Sequence, residues 1–257
     1  MKKNIINNFF NQGYCIINLF NKSQVNKIKN DIVSKINFLI KDSGKKIKKH
    51  ELQKYHKIKH IEKIHSLAKK NSSRYINLEN KIKNKIYLNK EILNLTNIFW
   101  GHSKFKIKWI GSLKENNAKN NAMAFRIARP KNSWEKDVGG EHIDLNYGGN
   151  VRANDYKFLL TIWCPLIGYS KKYTLRFSPK SHLKKHPKNA ISKQKKYISQ
   201  VFKKNYLKGY KFIRPNLKPG QAILFHPNLI HGASYNQGTQ TRVSVELRIF
   251  NSKKPSI

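Results

Sequence analysis

Acidic residues are scarce in this chain of 257 residues, which has 13 Asp and Glu against 53 Lys and Arg and a formal net charge of +40. Cysteine is also rare: Cys15 and Cys164 are too few for a disulfide framework and favour a reducing compartment. No apolar run approaches the roughly 18 residues that span a bilayer. Asn and Gln interrupt the apolar stretch of the basic N-terminus, which argues against a secretory signal. We therefore expect a cytoplasmic protein without a membrane span.

The composition still supports a packed core, since 39% of the residues are hydrophobic, with 13 Phe and 12 Tyr. We expect a single domain over residues 1–257, because a chain of this length without a Gly/Ser- or Pro-rich linker commonly stays undivided. The charge indicates attraction to anions and leaves three kinds of partner open: an acidic small molecule, a nucleic acid or an anionic membrane surface.

The first part, residues 1–103, has a mostly helical pattern. Ser23 is a candidate N-cap for a helix. Apolar residues then recur at three- and four-residue steps, namely Val25, Ile28, Ile32, Ile36 and Leu39. A second helix is predicted before Gly101 by Leu88, Ile92, Leu95 and Phe99. Residues 44–70 are dense in Lys and His, and we expect a solvated helix and loop there.

From about residue 104 the period changes to two, where Phe105, Ile107 and Trp109 alternate with lysines. Further strands are predicted over 122–129, 157–164, 173–178, 209–213, 221–226 and 240–250. Pro219-Gly220 suits the centre of a type II turn. Many short strands separated by turns favour an antiparallel barrel or jelly roll over 104–250. Helices that precede such strands are expected to pack on the outside of one sheet.

A metal site is indicated by His142 and Asp144, in the segment Gly139-Gly140-Glu141-His142-Ile143-Asp144. On a strand this spacing points both side chains to one face, whereas Glu141 points to the other. The best third ligand is His231, which follows a predicted strand. Two histidines and one carboxylate leave three positions of an octahedral ion open. Those positions suit a bidentate 2-oxo acid and dioxygen, as in the non-haem iron(II) oxygenases.

Arg242 makes the prediction more specific. It begins a strand in which Thr241, Val243, Val245, Leu247 and Ile249 share one face, and Arg242, Ser244, Glu246 and Arg248 share the other. If the apolar face packs under the helices, the polar face looks into the barrel. A guanidinium there can form a bidentate pair with the distal carboxylate of 2-oxoglutarate.

These residues resemble the phytanoyl-CoA dioxygenase family of iron(II)- and 2-oxoglutarate-dependent oxygenases. The shared features are the HxD pair, the stretch His226–Gly232, Asn236 and Arg242. The likeness extends to Ser178-Pro179-Lys180-Ser181-His182, which is similar to a PGSH loop, to Trp163, and to Gly13-Tyr14-Cys15-Ile16-Ile17. It covers most of residues 10–40 and 122–250.

The resemblance implies a double-stranded β-helix, a jelly-roll or cupin-like fold that is mainly β. It also implies iron(II), 2-oxoglutarate and O2 as cofactor and co-substrates. By position, His142, Asp144 and His231 become the metal ligands and Arg242 the 2-oxoglutarate anchor. Trp163 is then expected beside the co-substrate. Ala233 departs from the hydroxyl residue of many members, and the segment Gly168–Leu175 lacks the usual acidic loop.

Several other residues receive weaker predictions. Arg126, on the strand before the HxD pair, is the second candidate for binding a carboxylate or an acidic substrate, although chance placement on a solvated strand face explains it equally well. Trp134, Asn146 and Tyr147 are candidate substrate-side residues. His226 is interpreted as structural. His182 is interpreted as solvated, with an approach to the mouth of the site as the alternative.

The predicted reaction is hydroxylation of an unactivated C–H bond with release of succinate and CO2. Lysines of 44–70 and 180–211 predict a positive rim that attracts a small anionic metabolite. Two alternatives stay open: an oxygenase that acts on nucleic acid or another polyanion, and a non-catalytic jelly-roll protein that keeps the metal as a structural element. The first lacks a recognised nucleic-acid motif. The presence of Asp144 argues against a halogenase.

Overall fold

The computed structural model describes most of the chain, and the statements below concern that part. It covers residues 2–41, 46–69, 75–77, 90–101, 106–107, 122–131, 137, 139–144, 159–193, 200–232 and 234–250. In this part no helix is both long and apolar enough to cross a membrane.

Helices dominate the N-terminal part. They are α1 (Lys2–Gln12), α2 (Lys22–Leu39), a 3-10 helix (Lys49–Lys57), α3 (Ile61–Lys69) and α4 (Lys90–Trp100). A short helix α5 (Lys204–Leu207) follows later. The prediction of Ser23 as N-cap was wrong: Asn21 caps α2, because its side chain accepts from the backbone of Gln24 while Gln24 reciprocates in a capping box.

Strands fill the rest. They are β1 (Tyr14–Asn18), β2 (Tyr75–Asn77), β3 (Lys106–Ile107), β4 (Ala122–Ala128), β5 (Leu159–Ile167), β6 (Arg176–Phe177), β7 (Ile191–Lys193), β8 (Gln200–Phe202), β9 (Gln221–Phe225), β10 (His231–Gly232) and β11 (Arg242–Phe250). The predicted strand at 209–213 is reduced to a single bridge between Ile213 and Phe177. Phe105 and Trp109 lie outside the described residues.

The large sheet is antiparallel, in the order β1-β9-β5-β11-β4-β2, with β3 also paired to β11. The two faces of β11 point as the alternation of its residues predicted. Val243, Val245 and Leu247 join a core shared with the helices, to which α2 contributes Ile28, Ile32 and Ile36. The N-terminal helices therefore pack on the outer face of this sheet, and the polar residues of β11 face the interior.

A smaller sheet faces the large one. β10 pairs with β6, and isolated bridges extend this pair to His142 on one side and to Ile213 on the other. A second apolar core, which includes Trp163, Phe177 and Phe225, lies between the two sheets. Two facing antiparallel sheets with helices on one outer face confirm the predicted jelly roll.

Two predictions about the surroundings had different outcomes. The Pro219-Gly220 turn is confirmed: Gly220 has a φ of 83°, and a side chain there would collide with the Phe20 carbonyl.

The prediction of a solvated helix and loop at 44–70 was wrong in part. Leu52, Tyr55 and Ile64 of that stretch are buried, because the apolar residues between the lysines face the core while the lysines face solvent.

Candidate metal and co-substrate site

His142, Asp144 and His231 converge inside the jelly roll. One potential ligand atom from each residue lies within 4.8 Å of the other two. The backbone produces this convergence. His142 and His231 exchange N–H···O bonds of 2.9 and 3.0 Å, and the Asp144 N–H donates to Pro227 at 2.8 Å. His142 therefore lies in an isolated bridge beside β10, and Asp144 lies two residues beyond it rather than on a regular strand.

Both histidines are oriented by a backbone carbonyl. Nδ1 of His142 is 2.8 Å from the Gly140 oxygen, and Nδ1 of His231 is 2.9 Å from the Leu229 oxygen. A carbonyl only accepts, so the proton of each neutral ring lies on Nδ1 and the lone pair on Nε2. Burial, with the neighbouring His231, lowers the pKa of His142 to about 3. The neutral imidazole of His142 is the form that binds a metal ion.

Asp144 is ionised and held at both oxygens. Burial by itself raises the pKa of this carboxyl group, but Arg248, His231 and His142 hold it below its usual value. Arg248 donates to Oδ1 at 2.6 Å, and the Thr161 hydroxyl donates to Oδ2 at 2.6 Å. Oδ1 lies 3.8 Å from Nε2 of His231. The donor set of two imidazole nitrogens and one carboxylate oxygen fits iron(II).

One cavity joins the two histidines of the cluster to the predicted co-substrate anchor. It is lined by Arg126, Asp137, Gly139, His142, Trp163, Leu175, Phe225, His231, Gly232, Ser234, Arg242 and Glu246. Polar and ionisable side chains therefore predominate in this cavity, with Trp163, Leu175 and Phe225 as its apolar wall.

Arg242 lies in this cavity as a buried cation. The residue is 3% exposed, and its Nη1 donates to the carbonyls of Tyr173 and Ser234 at 3.1 and 3.0 Å. Nε is buried without a hydrogen-bond partner, and no carboxylate of the described residues pairs with this guanidinium. Burial, helped by Arg214 and Arg126, lowers the pKa of Arg242 to about 9, so it stays charged at neutral pH. Such a group requires an anion. The carboxylate of 2-oxoglutarate fits this requirement.

Trp163 and Arg126 also reach the cavity. The guanidinium carbon of Arg242 is 5.9 Å from the centre of a Trp163 ring. Arg126 donates from Nε to Glu246 at 2.9 Å, and its side chain is 32% exposed. The structure thus brings His142, His231, Arg242, Trp163 and Arg126 to one cavity, and Asp144 lies beside the two histidines.

Other histidines and loop residues lie elsewhere. Nε2 of His182 is 2.8 Å from the Phe10 carbonyl, so His182 packs against α1 and is neither solvated nor at the site. His226 packs on Phe9 and His182. Glu141 points away from the cavity and pairs with Arg176 at 2.6 Å. Trp134, Asn146 and Tyr147 lie outside the described residues.

Two residues of the site received no role from the sequence. Arg248 stands on the predicted inward face of β11, so alternation placed it correctly without indicating its partner. Thr161 lies opposite Arg248 in the pairing of β5 with β11. The sequence does not specify this register, so only the structure shows that Arg248 and Thr161 are opposite each other.

Comparison with known proteins agrees with this geometry. The phytanoyl-CoA dioxygenase (PhyH) family model matches residues 142–244, from the first histidine of the cluster to just beyond Arg242. Over these residues the chain is similar to that family. The expected enzyme class, a 2-oxoglutarate-dependent non-haem iron oxygenase, is confirmed by this match together with the His-Asp-His cluster. No curated protein matches the sequence.

Solved structures share the fold at low sequence identity. AviO1 from Streptomyces viridochromogenes Tue57 is 12% identical with a TM-score of 0.59, over 99% of this chain and 97% of that one. The epimerase SnoN, in complex with Fe3+, alpha-ketoglutarate and nogalamycin RO, is 12% identical with a TM-score of 0.58, over 97% and 83%. The carbocyclase SnoK from nogalamycin biosynthesis is 13% identical with a TM-score of 0.52, over 98% and 84%. At these identities the likeness establishes the fold.

Proposed function

We propose that this chain is an iron(II)- and 2-oxoglutarate-dependent dioxygenase that hydroxylates an unactivated C–H bond of a small anionic metabolite. His142, Asp144 and His231 hold the metal. Arg242 binds the distal carboxylate of 2-oxoglutarate. Trp163 lies beside the co-substrate as part of the cavity wall.

The observation that carries the proposal is that a cluster of metal ligands and the buried guanidinium of Arg242 lie together. Three oriented donors face a common point and leave room for further ligands on the same ion. In the same cavity Arg242 carries a buried positive charge for which the described residues supply no carboxylate. A 2-oxo acid with a second carboxylate fits both features. Its 2-oxo acid group would chelate the metal, and its second carboxylate would pair with the guanidinium.

Iron and 2-oxoglutarate, when bound, would supply the oxidation: one oxygen atom of O2 would enter succinate with loss of CO2, and the other would enter the substrate. The chain itself contributes position and exclusion of water. The carbonyls of Gly140 and Leu229 orient the two imidazoles, and Arg242 fixes the far end of the co-substrate. Trp163 and Phe225 supply buried apolar walls that limit access of solvent.

Two features support an anionic substrate. Arg126 reaches the cavity with a partly exposed guanidinium. A groove of about 580 Å³ lies on the opposite side of the segment that bears His142, with Arg176, Lys204 and Lys208 among its lining residues. Aromatic side chains also line this groove, and Arg176 stacks on Phe212 at 4.1 Å. Positive charge around an active site raises the local concentration of anions.

The test is a mass-spectrometric screen of small metabolites under 18O2 with the purified protein, iron(II) and 2-oxoglutarate. The proposal predicts one labelled oxygen in succinate and one in a product, with carboxylated or phosphorylated compounds as the substrates. Product formation that persists without 2-oxoglutarate would contradict the proposal. Labelled succinate with neutral substrates alone would remove only the anionic part of it.

A further inference from the structure

Arg248 and Thr161 together hold the carboxylate of Asp144. Arg248 Nη2 lies 2.6 Å from Oδ1 and Nε lies 3.4 Å from Oδ2, so the guanidinium spans both oxygens. The Thr161 hydroxyl donates to Oδ2 at 2.6 Å. All three residues are almost fully buried. Hydrogen bonds of this kind are strong because one or both partners carry charge.

The two donors come from adjacent strands at the same level. Arg248 of β11 and Thr161 of β5 are directly opposite in the antiparallel register. Their side chains lie on the inner face of the sheet, where opposite residues are close neighbours. The large sheet therefore fixes the position of a carboxylate that belongs to a bridge on the smaller sheet.

Glu246 pairs with the same guanidinium nitrogen of Arg248 that donates to Asp144. Its Oε1 is 2.7 Å from Arg248 Nη2, and its Oε2 accepts from Arg126 at 2.9 Å. Charges thus alternate along the series Asp144, Arg248, Glu246 and Arg126. Because each buried charge has a partner of opposite sign, Arg248 is held in one orientation rather than left to rotate.

We infer that Arg248 and Thr161 are positioning residues that restrict Asp144 to coordination through Oδ1 alone. This inference rests on the proposed function. Oδ2 accepts from the Thr161 hydroxyl at 2.6 Å and only at 3.4 Å from Arg248, whereas Oδ1 accepts from Arg248 Nη2 at 2.6 Å and lies 3.8 Å from Nε2 of His231. Thr161 therefore occupies Oδ2, and Arg248 orients the carboxylate so that Oδ1 faces the histidines. A carboxylate that binds through one oxygen occupies one position on the metal. The remaining three positions then stay open for the 2-oxo acid and O2.

The test measures metal binding without turnover, using Mn2+ as the probe. The variants are Arg248→Gln, Arg248→Lys and Thr161→Val, and Arg176→Gln is the matched control, since Arg176 forms an arginine–carboxylate pair on the outer side of the ligand segment. The readouts are the dissociation constant for Mn2+ and the number of coordinated waters, from line broadening of the Mn2+ resonance in 17O-enriched water. Far-UV circular dichroism reports folding.

Wild-type protein and Arg176→Gln are expected to bind Mn2+ with three coordinated waters. Arg248→Gln is expected to weaken binding by about 10- to 100-fold, as loss of a group that orients a ligand does, because Oδ1 loses its charged donor. Arg248→Lys keeps the charge without the planar fork, so its affinity is expected to fall between the two. Thr161→Val is expected to weaken binding severalfold and to lose one water, because Oδ2 loses its 2.6 Å donor and can enter the coordination shell.

Wild-type affinity and three waters in folded Arg248→Gln and Thr161→Val would overturn the inference and assign these contacts to stability alone. If Arg248→Gln does not fold, Arg248→Lys and Thr161→Val decide in the same way. His231→Ala separates this result from the proposed function. If Mn2+ binding survives His231→Ala unchanged, the metal site itself is refuted. If binding is lost there but the Arg248 and Thr161 variants behave as wild type, only the positioning role is refuted.

Discussion

His142 and His231 form an antiparallel backbone pair in which each N–H donates to the other residue's carbonyl, at 2.9 and 3.0 Å. Their ring centres lie 4.4 Å apart. The spacing between the two imidazoles is therefore set by the backbone register and not by side-chain packing alone. A shift of one residue in this pairing would move one of the rings to the other face of the sheet.

Gly232, next to His231, is required for this close approach. Its φ is 123°, and a Cβ there would lie 2.5 Å from the Gly140 oxygen and 3.1 Å from Nδ1 of His142. We expect Gly232→Ala to displace His142 and to lower both Mn2+ affinity, by about 10-fold or more, and the melting temperature. Gly209→Ala is the control, because a Cβ at Gly209 meets no atom within 4 Å. Equal metal affinity in the two variants would show that Gly232 does not set the site.

Arg242→Gln tests the co-substrate anchor. Loss of a bidentate, charge-assisted pair removes roughly 1.5–3 kcal/mol, so we expect the KM for 2-oxoglutarate to rise by about 10- to 100-fold. Metal affinity should change little, because Arg242 contacts none of the three donors. Lys218→Gln is the control, because it also removes one positive charge but Lys218 is exposed and does not line the cavity. The KM is measured by steady-state kinetics with varied 2-oxoglutarate. An unchanged KM in Arg242→Gln would contradict the role of Arg242 as the co-substrate anchor.

We predict that His226 contributes to the free energy of unfolding and that this contribution is lost in acid. Burial, helped by His182, lowers the pKa of His226 to about 3 from its usual 6.5. The unfolded chain therefore takes up a proton at this residue as the pH falls below 6.5, while the folded chain does not until near pH 3. Its contribution is complete above pH 6.5, and about 2 kcal/mol of it is lost between pH 6.5 and 5.

His226→Gln removes this proton and keeps a hydrogen-bond acceptor near the Asn228 N–H. Urea unfolding at both pH values is expected to show a smaller loss of stability in the variant than in the wild type. The same loss in both proteins would mean that His226 is not held neutral by the fold.

Ionic strength tests the positive surroundings of the site. If Arg126 and the basic groove attract an anionic substrate, added salt is expected to raise the KM for that substrate several-fold, since exposed charges are screened within about 10 Å at 0.1 M. Arg126→Gln should raise the same KM and weaken its salt dependence. A KM that is insensitive to salt in both proteins speaks against electrostatic attraction, and an uncharged substrate analogue provides the control.

The features that the sequence predicts are those that depend on a pattern within one strand or one motif. The alternation in β11 placed Arg242 inward and Val243 under the helices because one strand carries both faces in its own order. The HxD spacing and the distal histidine predicted which residues converge. The N-cap was missed by two residues, since Asn21 and Ser23 are both competent caps and only the backbone geometry selects between them.

Features that depend on two distant segments were not predictable. The partnership of Arg248 with Asp144 needs the register of β5 on β11 and the approach of the smaller sheet. The same holds for Arg129, which pairs with Asp137 at 2.8 Å and with Glu62 of α3 at 2.6 Å. Residues 46–69 looked solvated because their lysines dominate the composition, whereas four buried apolar residues, Ile47, Leu52, Tyr55 and Ile64, decide where the segment packs.

The most direct test of the central claim is succinate release that depends on iron(II) and 2-oxoglutarate, compared between wild type and Asp144→Ala. The variant should keep its far-UV circular dichroism, because Arg248 retains Glu246 as a partner 2.7 Å away. The account predicts succinate from the wild type and none above background from Asp144→Ala. Full succinate release from the folded variant would contradict the assignment of His142, Asp144 and His231 as the iron ligands.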